Sequence, residues 1–265
     1  MTEFRNLVVE RSGNRVAWLR LHAPERRNAI GLDMLGELTK ALGTLAADPE
    51  LRCVVLVGSA LAFSAGYDLL ALEDGSFERD ADRLIANPDH GALLALTRFP
   101  WPTVAAIDGF CLGGGLELAV SCDFRIATTR ARFGMPVTRL GLVYGHSGLR
   151  KFVDLVGPAA TRRLFLAGEQ LNGTEAGAIG LVDYVVPTTQ LSQAVTRLVG
   201  QIVVGAPLAL RGNKAAIAAV LAGADRDLAG EEKLRTLRRD SIQSADLREG
   251  VRAFRERRRP RWRGR

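Results

Sequence analysis

The sequence predicts an α/β fold followed by an all-helical C-terminal region, and three observations carry that expectation. Short apolar runs alternate with segments of helical leucine spacing through the first half of the chain. A glycine-rich turn then links a strand-like run to a helix near the middle. Beyond Pro187 the strand-like runs stop and only helical patterns follow.

Leu7–Glu10 and Arg15–Leu21 read as strands joined by the turn Arg11-Ser12-Gly13-Asn14, a hairpin. Leu32, Leu35, Leu38, Leu42 and Leu45 recur every three or four positions, which places them on one helix face. Cys53–Val57 is a short apolar strand that stops at Gly58. The stretch from Leu69 to Arg98 carries charge and helical pattern, until Pro100 and Pro102 remove the amides a helix needs. Thr103–Ile107 is the next strand. After the glycine turn, Leu116–Ser121 reads as helix and Asp123–Ala127 as strand, and Val182–Val186 is the last strand. Leu191–Val204, Pro207–Leu221 and a charged segment from Glu231 onward read as helices. The expected organisation is a core over 1–187 and a helical region with a basic tail over 188–265.

Composition narrows the function classes. Of 265 residues, 47% are hydrophobic and 25% charged, the profile of a soluble globular protein. No run of about 18 uncharged apolar residues occurs, so no membrane partner is expected. Met1 to Glu10 carries Glu3 and Arg5 and resembles neither a secretory nor a transit leader, which makes the cytoplasm the expected location. Cys53, Cys111 and Cys122 are odd in number and lack metal or disulfide spacing, and His22, His90 and His146 are scattered, so no metal is expected. The net charge is +7, but nine arginines against Glu249 and Glu256 between Arg248 and Arg265 account for all of it. A short basic tail can meet nucleic acid or the phosphates of a small ligand, and nucleic acid is not the expected partner.

The chemistry concentrates at Gly109-Phe110-Cys111-Leu112-Gly113-Gly114-Gly115-Leu116-Glu117-Leu118-Ala119. Three glycines after a strand let backbone approach a ligand and open a helix with exposed amides, which favours an anion. A tight turn or a nucleotide phosphate loop would use similar glycines, although both the dinucleotide spacing and the Gly-Lys-Ser/Thr of a P-loop are absent. The glycines alone decide nothing further.

Their surroundings do. With Ser121-Cys122-Asp123-Phe124-Arg125-Ile126-Ala127, this segment closely resembles the signature of the crotonase (enoyl-CoA hydratase/isomerase) superfamily. Ala62-Phe63-Ser64-Ala65-Gly66-Tyr67-Asp68-Leu69 resembles that family's first oxyanion-hole loop, and Arg26-Arg27-Asn28-Ala29-Ile30 its CoA-binding turn. Thr174-Glu175-Ala176, Gly180-Leu181-Val182 and the stretch from Asp246 to Phe254 extend the likeness from about Asn6 to Trp262.

The resemblance implies a spiral of ββα units with a C-terminal helical trimerisation region, assembled as a homotrimer or homohexamer. It implies an acyl-CoA thioester substrate and no cofactor, coenzyme A being part of the substrate. The backbone N–H groups of Tyr67 and Gly114 would hold the thioester oxyanion, at about 3 kcal/mol per donor. Glu117 would be the acid/base. At the CoA end the resemblance places Arg26 and Arg27, the loop residues Ala65, Gly66 and Asp68, and the C-terminal Phe254 and Arg257. The variable segment from Leu69 to His90 would shape the acyl pocket.

The departures bear on the reaction. Family hydratases carry a second glutamate where Phe133-Gly134-Met135-Pro136-Val137 places Val137, which moves no proton. Tyr144 stands where they carry proline, followed by Gly145-His146. A tyrosine near this place marks methylmalonyl-CoA decarboxylase-like members, so Tyr144 or Tyr67 could instead serve a decarboxylase. A weak acyl-CoA- or RNA-binding homologue is the third reading.

Overall fold

The computed structural model describes residues 4–13, 15–59, 61–71, 79, 82, 91–223 and 228–264. Strands β1 (Leu7–Ser12) and β2 (Val16–Leu21) form the expected antiparallel hairpin, with Leu7 opposite Leu21 and Ser12 opposite Val16. Helix α1 (Leu32–Ala46) buries Leu35, Leu38, Leu42 and Leu45 with Met34 and Ala41, the face that the leucine spacing marks. Strand β3 (Cys53–Val57) then pairs parallel to β2.

From here the chain alternates between two sheets. Strands β4 (Ala62–Ser64), β6 (Phe110–Leu112), β8 (Arg132–Gly134) and β9 (Gln170–Asn172) form a small sheet in the order β4-β6-β8-β9. Strands β5 (Thr103–Ile107), β7 (Phe124–Thr128) and β10 (Tyr184–Val186) extend the large sheet, ordered β1-β2-β3-β5-β7-β10. Successive strand pairs thus send one strand to each sheet before a helix follows. The helices of this part are α2 (Gly91–Thr97), α3 (Gly114–Val120), α4 (His146–Phe165) and α5 (Gly173–Ala178). This is the ββα spiral that the resemblance implied.

The central strands of the large sheet are buried on both faces, and strand periodicity divides their side chains between two cores. Val54, Leu56, Ala105 and Ile107 face α1 and the main cluster. Their neighbours Cys53, Val55, Val104 and Ala106 face Val195, Leu198, Val199 and Ile202 of α6 (Leu191–Val203). The first C-terminal helix therefore covers the outer face of the sheet. Helices α7 (Pro207–Leu221), α8 (Leu228–Gln243) and α9 (Ala245–Arg255) follow, α9 being capped by Ser244 Oγ, which accepts from Leu247 N at 3.0 Å.

The small sheet and α4 are what the sequence patterns do not reveal. Three-residue strands are too short to show an alternation. Helix α4 is broken at Gly157 (φ 72°) and Pro158, which interrupts its period. The glycine turn also starts its helix two residues earlier than expected, at Gly114, because Gly113 takes the left-handed φ of 51° that turns β6 into α3. Most of the stretch from Leu69 to His90, expected to shape the acyl pocket, lies outside the described residues.

Candidate active site

The site is assembled first from two loops. The turn Pro24–Arg26 ends in two consecutive left-handed residues, Arg27 (φ 52°) and Asn28 (φ 55°). Asn28 is fully buried and holds that conformation. Its Oδ1 accepts from Ala23 N at 2.9 Å, and its Nδ2 donates to Ala62 O and Phe63 O at 3.0 and 3.3 Å. Ser64 Oγ donates to Asn28 O at 2.7 Å, and Ala65 N donates to Arg27 O at 3.0 Å. Ile30 N donates to Gly66 O at 2.7 Å, and Asp68 N donates to Ile30 O at 3.0 Å. The two segments that separately resembled a CoA turn and an oxyanion-hole loop are thus one hydrogen-bonded unit. Buried Asp68 is ion-paired with Arg26, and the Arg27 guanidinium sits 5.7 Å from the Phe110 ring centroid.

The glycine run brings α3 against this unit. A Cβ on Gly115 would lie 2.6 Å from Ser64 Cβ, and one on Gly114 would lie 2.8 Å from the Tyr67 ring. Only bare glycine permits that approach. Gly66 lies across from the same spot: a Cβ there would be 3.5 Å from Gly114 N. Because Gly114 is the first residue of α3, its N–H has no carbonyl four residues back within the helix.

One turn further along, Glu117 is 6% exposed and is the meeting point of four side chains. The Tyr144 hydroxyl donates to Oε2 in a short bond, and the Tyr67 hydroxyl lies 3.4 Å from the same oxygen. Lys151 Nζ donates to Oε1 at 3.2 Å and to Ser121 Oγ at 2.9 Å. Ser121 Oγ in turn donates to Glu117 O at 2.9 Å. Burial first, and then the Glu117 charge, push both phenols well above the ordinary tyrosine pKa, so Tyr67 and Tyr144 remain protonated donors. Tyr144 also packs edge-on against Phe165, with ring centroids 5.4 Å apart. The result is a buried carboxylate held by phenols on one oxygen and an ammonium on the other, beside a helix N-terminus.

Of the expected site residues, Tyr67, Gly114, Glu117 and Tyr144 converge, and Arg26, Arg27, Ala65, Gly66 and Asp68 form the adjoining loop unit. His146 is exposed, whereas Val137 is buried in the main core. Phe254 is 86% exposed on α9 and Arg257 follows that helix with φ 51°. The tail beyond them folds back on the C-terminal helices. Arg258 pairs with Glu249 and Glu256, and Trp262 Nε1 donates to Val204 O at 2.7 Å. Arg263 N and Gly264 N donate to the buried Asp246 carboxylate at 2.7 and 3.0 Å.

Lys151 and Ser121 are the site residues that sequence reasoning missed. Lys151 lies on α4, whose period is broken, so its face could not be assigned. A signal was present, since the chain has only four lysines against 32 arginines. Among the described residues no three His, Cys, Asp or Glu side chains converge as a metal site.

Comparison with known proteins adds four findings. The family model for enoyl-CoA hydratase/isomerase matches residues 11–265. A short-chain-enoyl-CoA hydratase of Clostridium acetobutylicum is 34% identical over 217 residues, 81% of this chain and 82% of that protein. The enoyl-CoA isomerase/hydratase fer4 of Mycosarcoma maydis is 35% identical over 254 residues, 91% of this chain and 89% of that protein. Among solved structures, an enoyl-CoA hydratase/carnithine racemase from Magnetospirillum magneticum superposes with a TM-score of 0.89 at 30% identity, covering 99% of this chain and 97% of that one.

Proposed function

The chain belongs to the enoyl-CoA hydratase/isomerase family, and from that premise we propose that Glu117 moves a proton on an acyl-CoA thioester while two backbone amides hold the oxyanion. The amides are those of Tyr67 and Gly114. In support, the Gly114 N–H begins α3, where the helix dipole favours negative charge, and Tyr67 packs against the bare Gly114.

The observation that carries the reading is the environment of Glu117. A base that takes a proton next to the thioester carbonyl leaves electrons that delocalise onto the thioester oxygen. Glu117 sits three residues beyond Gly114, so base and oxyanion site share one helical turn. The protonated phenols of Tyr144 and Tyr67 then donate to Oε2 and hold it in place.

One carboxylate suits a reaction in which the same group removes and returns a proton. Migration of an enoyl double bond is such a reaction: Glu117 takes a proton from one carbon, a dienolate forms, and the proton returns to another. Hydration asks more, a base for water and an acid for carbon, and Val137 supplies neither. In a decarboxylase Tyr144 would act on substrate, but here its hydroxyl is committed to Glu117. We place the adenine and phosphate end of CoA at the Arg26–Arg27 turn. A neighbouring subunit of a trimer or hexamer would bring Phe254 and Arg257, and the exposed Leu247, Val251 and Phe254 of α9 suit such an assembly.

Chromatographic separation of the products from enoyl-, dienoyl- and malonyl-type CoA thioesters, followed by mass spectrometry, tests this. The expected best substrate is a 3-enoyl-CoA, converted without change of mass, with Glu117→Gln slowed about 10²- to 10⁴-fold yet still binding acyl-CoA. Loss of carbon dioxide from a malonyl-type thioester, undiminished in Glu117→Gln, would establish the decarboxylase instead.

A further inference from the structure

We propose that Lys151 is a positioning residue for Glu117, fixing the plane of its carboxylate for proton exchange with substrate. This rests on the reading of Glu117 as the acid/base. The geometry is a double anchor. Lys151 Nζ donates to Glu117 Oε1 at 3.2 Å and to Ser121 Oγ at 2.9 Å, and the Ser121 hydroxyl is tied to the Glu117 carbonyl at 2.9 Å. The ammonium is therefore held against α3 at two points one turn apart.

Helix α4 is shaped to deliver it. Gly148, one turn before Lys151, carries no side chain where a Cβ would lie 2.6 Å from the Tyr144 ring and 3.0 Å from Glu117 Oε1. Residues three apart on a helix share a face, so Gly148 makes the close approach and Lys151 fills the space beyond it. The two oxygens of Glu117 are thereby divided, an ammonium on Oε1 and two phenols on Oε2.

Division has a chemical consequence. A carboxylate free to rotate presents either oxygen to a substrate carbon, and proton transfer depends on the orientation of the pair. The ammonium on Oε1 and the phenols on Oε2 together fix the carboxylate plane. The side chain of Glu117 is only 8% exposed and that of Lys151 23%, so solvent screens this pair less than a surface pair. A lysine also keeps a third donor beyond the two used here, which an arginine fork would arrange differently.

The test compares Lys151→Met, Lys151→Arg and Ser121→Ala, with 3-hexenoyl-CoA for turnover and acetyl-CoA for binding. Lys151→Met should lower kcat by about a hundredfold while KM and acetyl-CoA affinity stay near wild type. Lys151→Arg should recover part of that loss, and Ser121→Ala should show a smaller one. In a Glu117→Gln background, Lys151→Met should change nothing more, since the lysine acts through the glutamate. Wild-type kcat in Lys151→Met, or an equal loss in the Glu117→Gln background, overturns the assignment. Full turnover by Glu117→Gln alone would defeat the acid/base reading itself, and the positioning role with it.

Discussion

The Tyr144 hydroxyl donates to Glu117 Oε2 across 27 positions of sequence, joining the loop before α4 to the first turn of α3. Its burial keeps the phenol protonated, so it acts on Glu117 as a donor and not as a second base. The bond holds Glu117 in the geometry on which the proposed proton transfer depends.

Tyr144→Phe removes that donor and leaves the ring in its contact with Phe165. A hydrogen bond to a charged group contributes about 1.5–3 kcal/mol, so kcat should fall measurably. Glu117→Gln removes the proposed acid/base and should cost about 10²- to 10⁴-fold. Steady-state kinetics on one 3-enoyl-CoA should rank Glu117→Gln as the more harmful. The reverse ranking would favour chemistry centred on the tyrosine.

The same burial predicts an alkaline signature. A phenol whose folded pKa is raised adds no pH dependence below its unfolded pKa of about 10, where both states are protonated. Above that pH the unfolded chain ionises while the folded chain does not, so stability falls as pH rises. Tyr67 and Tyr144 should therefore develop phenolate absorbance near 295 nm only as the protein unfolds at high pH. Reversible ionisation of both in the native protein near pH 10 would contradict the closed site.

The two glycines at the start of α3 predict separable defects. A methyl at Gly114 meets the Tyr67 ring, which can shift, so Gly114→Ala should fold and lose turnover through displaced Tyr67. At Gly115 the obstacles include the Ser64 carbonyl oxygen at 2.9 Å as well as its side chain, and backbone yields less. Overpacking of this kind costs about 1–3 kcal/mol, so Gly115→Ala should lower stability in denaturant melts. Equal melting curves for the two variants would argue against that distinction.

What the sequence makes legible follows from the length scale of each signal. The leucines of α1 and the apolar run Cys53–Val57 span enough residues to show their period, and both elements stand where expected. The glycine run and Glu117 are readable because motif and chemistry coincide within one helical turn. Lys151 is not readable that way. It reaches Glu117 through the packing of α4 on α3, a relation with no short-range signature and one that the Gly157–Pro158 break obscures further. The Ala62–Ser64 and Phe110–Leu112 strands are hidden for another reason, since three residues cannot display an alternation.

Val137 sits in the apolar core with 5% of its surface exposed, and no carboxylate stands in its place. Crotonyl-CoA hydration by the wild-type protein should accordingly be slow, by about 10²- to 10⁴-fold against two-glutamate relatives. Val137→Glu should raise hydration while lowering stability, because a carboxylate is costly to bury at a position in the apolar core. Fast hydration by the unmodified protein would mean that another group activates water.

The arginine-rich tail yields the last prediction, and it turns on backbone and not on charge. Asp246 is 2% exposed, and the amides of Arg263 and Gly264 supply donors to its two carboxylate oxygens. Cutting the chain after Trp262 removes both and leaves Trp262 Nε1 on Val204 O and Arg261 N on Glu249 Oε1 as holds at that end. Solvent then reaches Asp246 and recovers part of the loss, so the expected destabilisation is about 2 kcal/mol, below the full value of two charge-assisted bonds. Arg263→Ala keeps the amide and removes only the guanidinium, and it should melt like wild type. Thermal and urea unfolding of the two proteins decides the matter. If Arg263→Ala is the damaging change and the truncation is silent, the tail acts through its charge, and phosphate contact becomes its role.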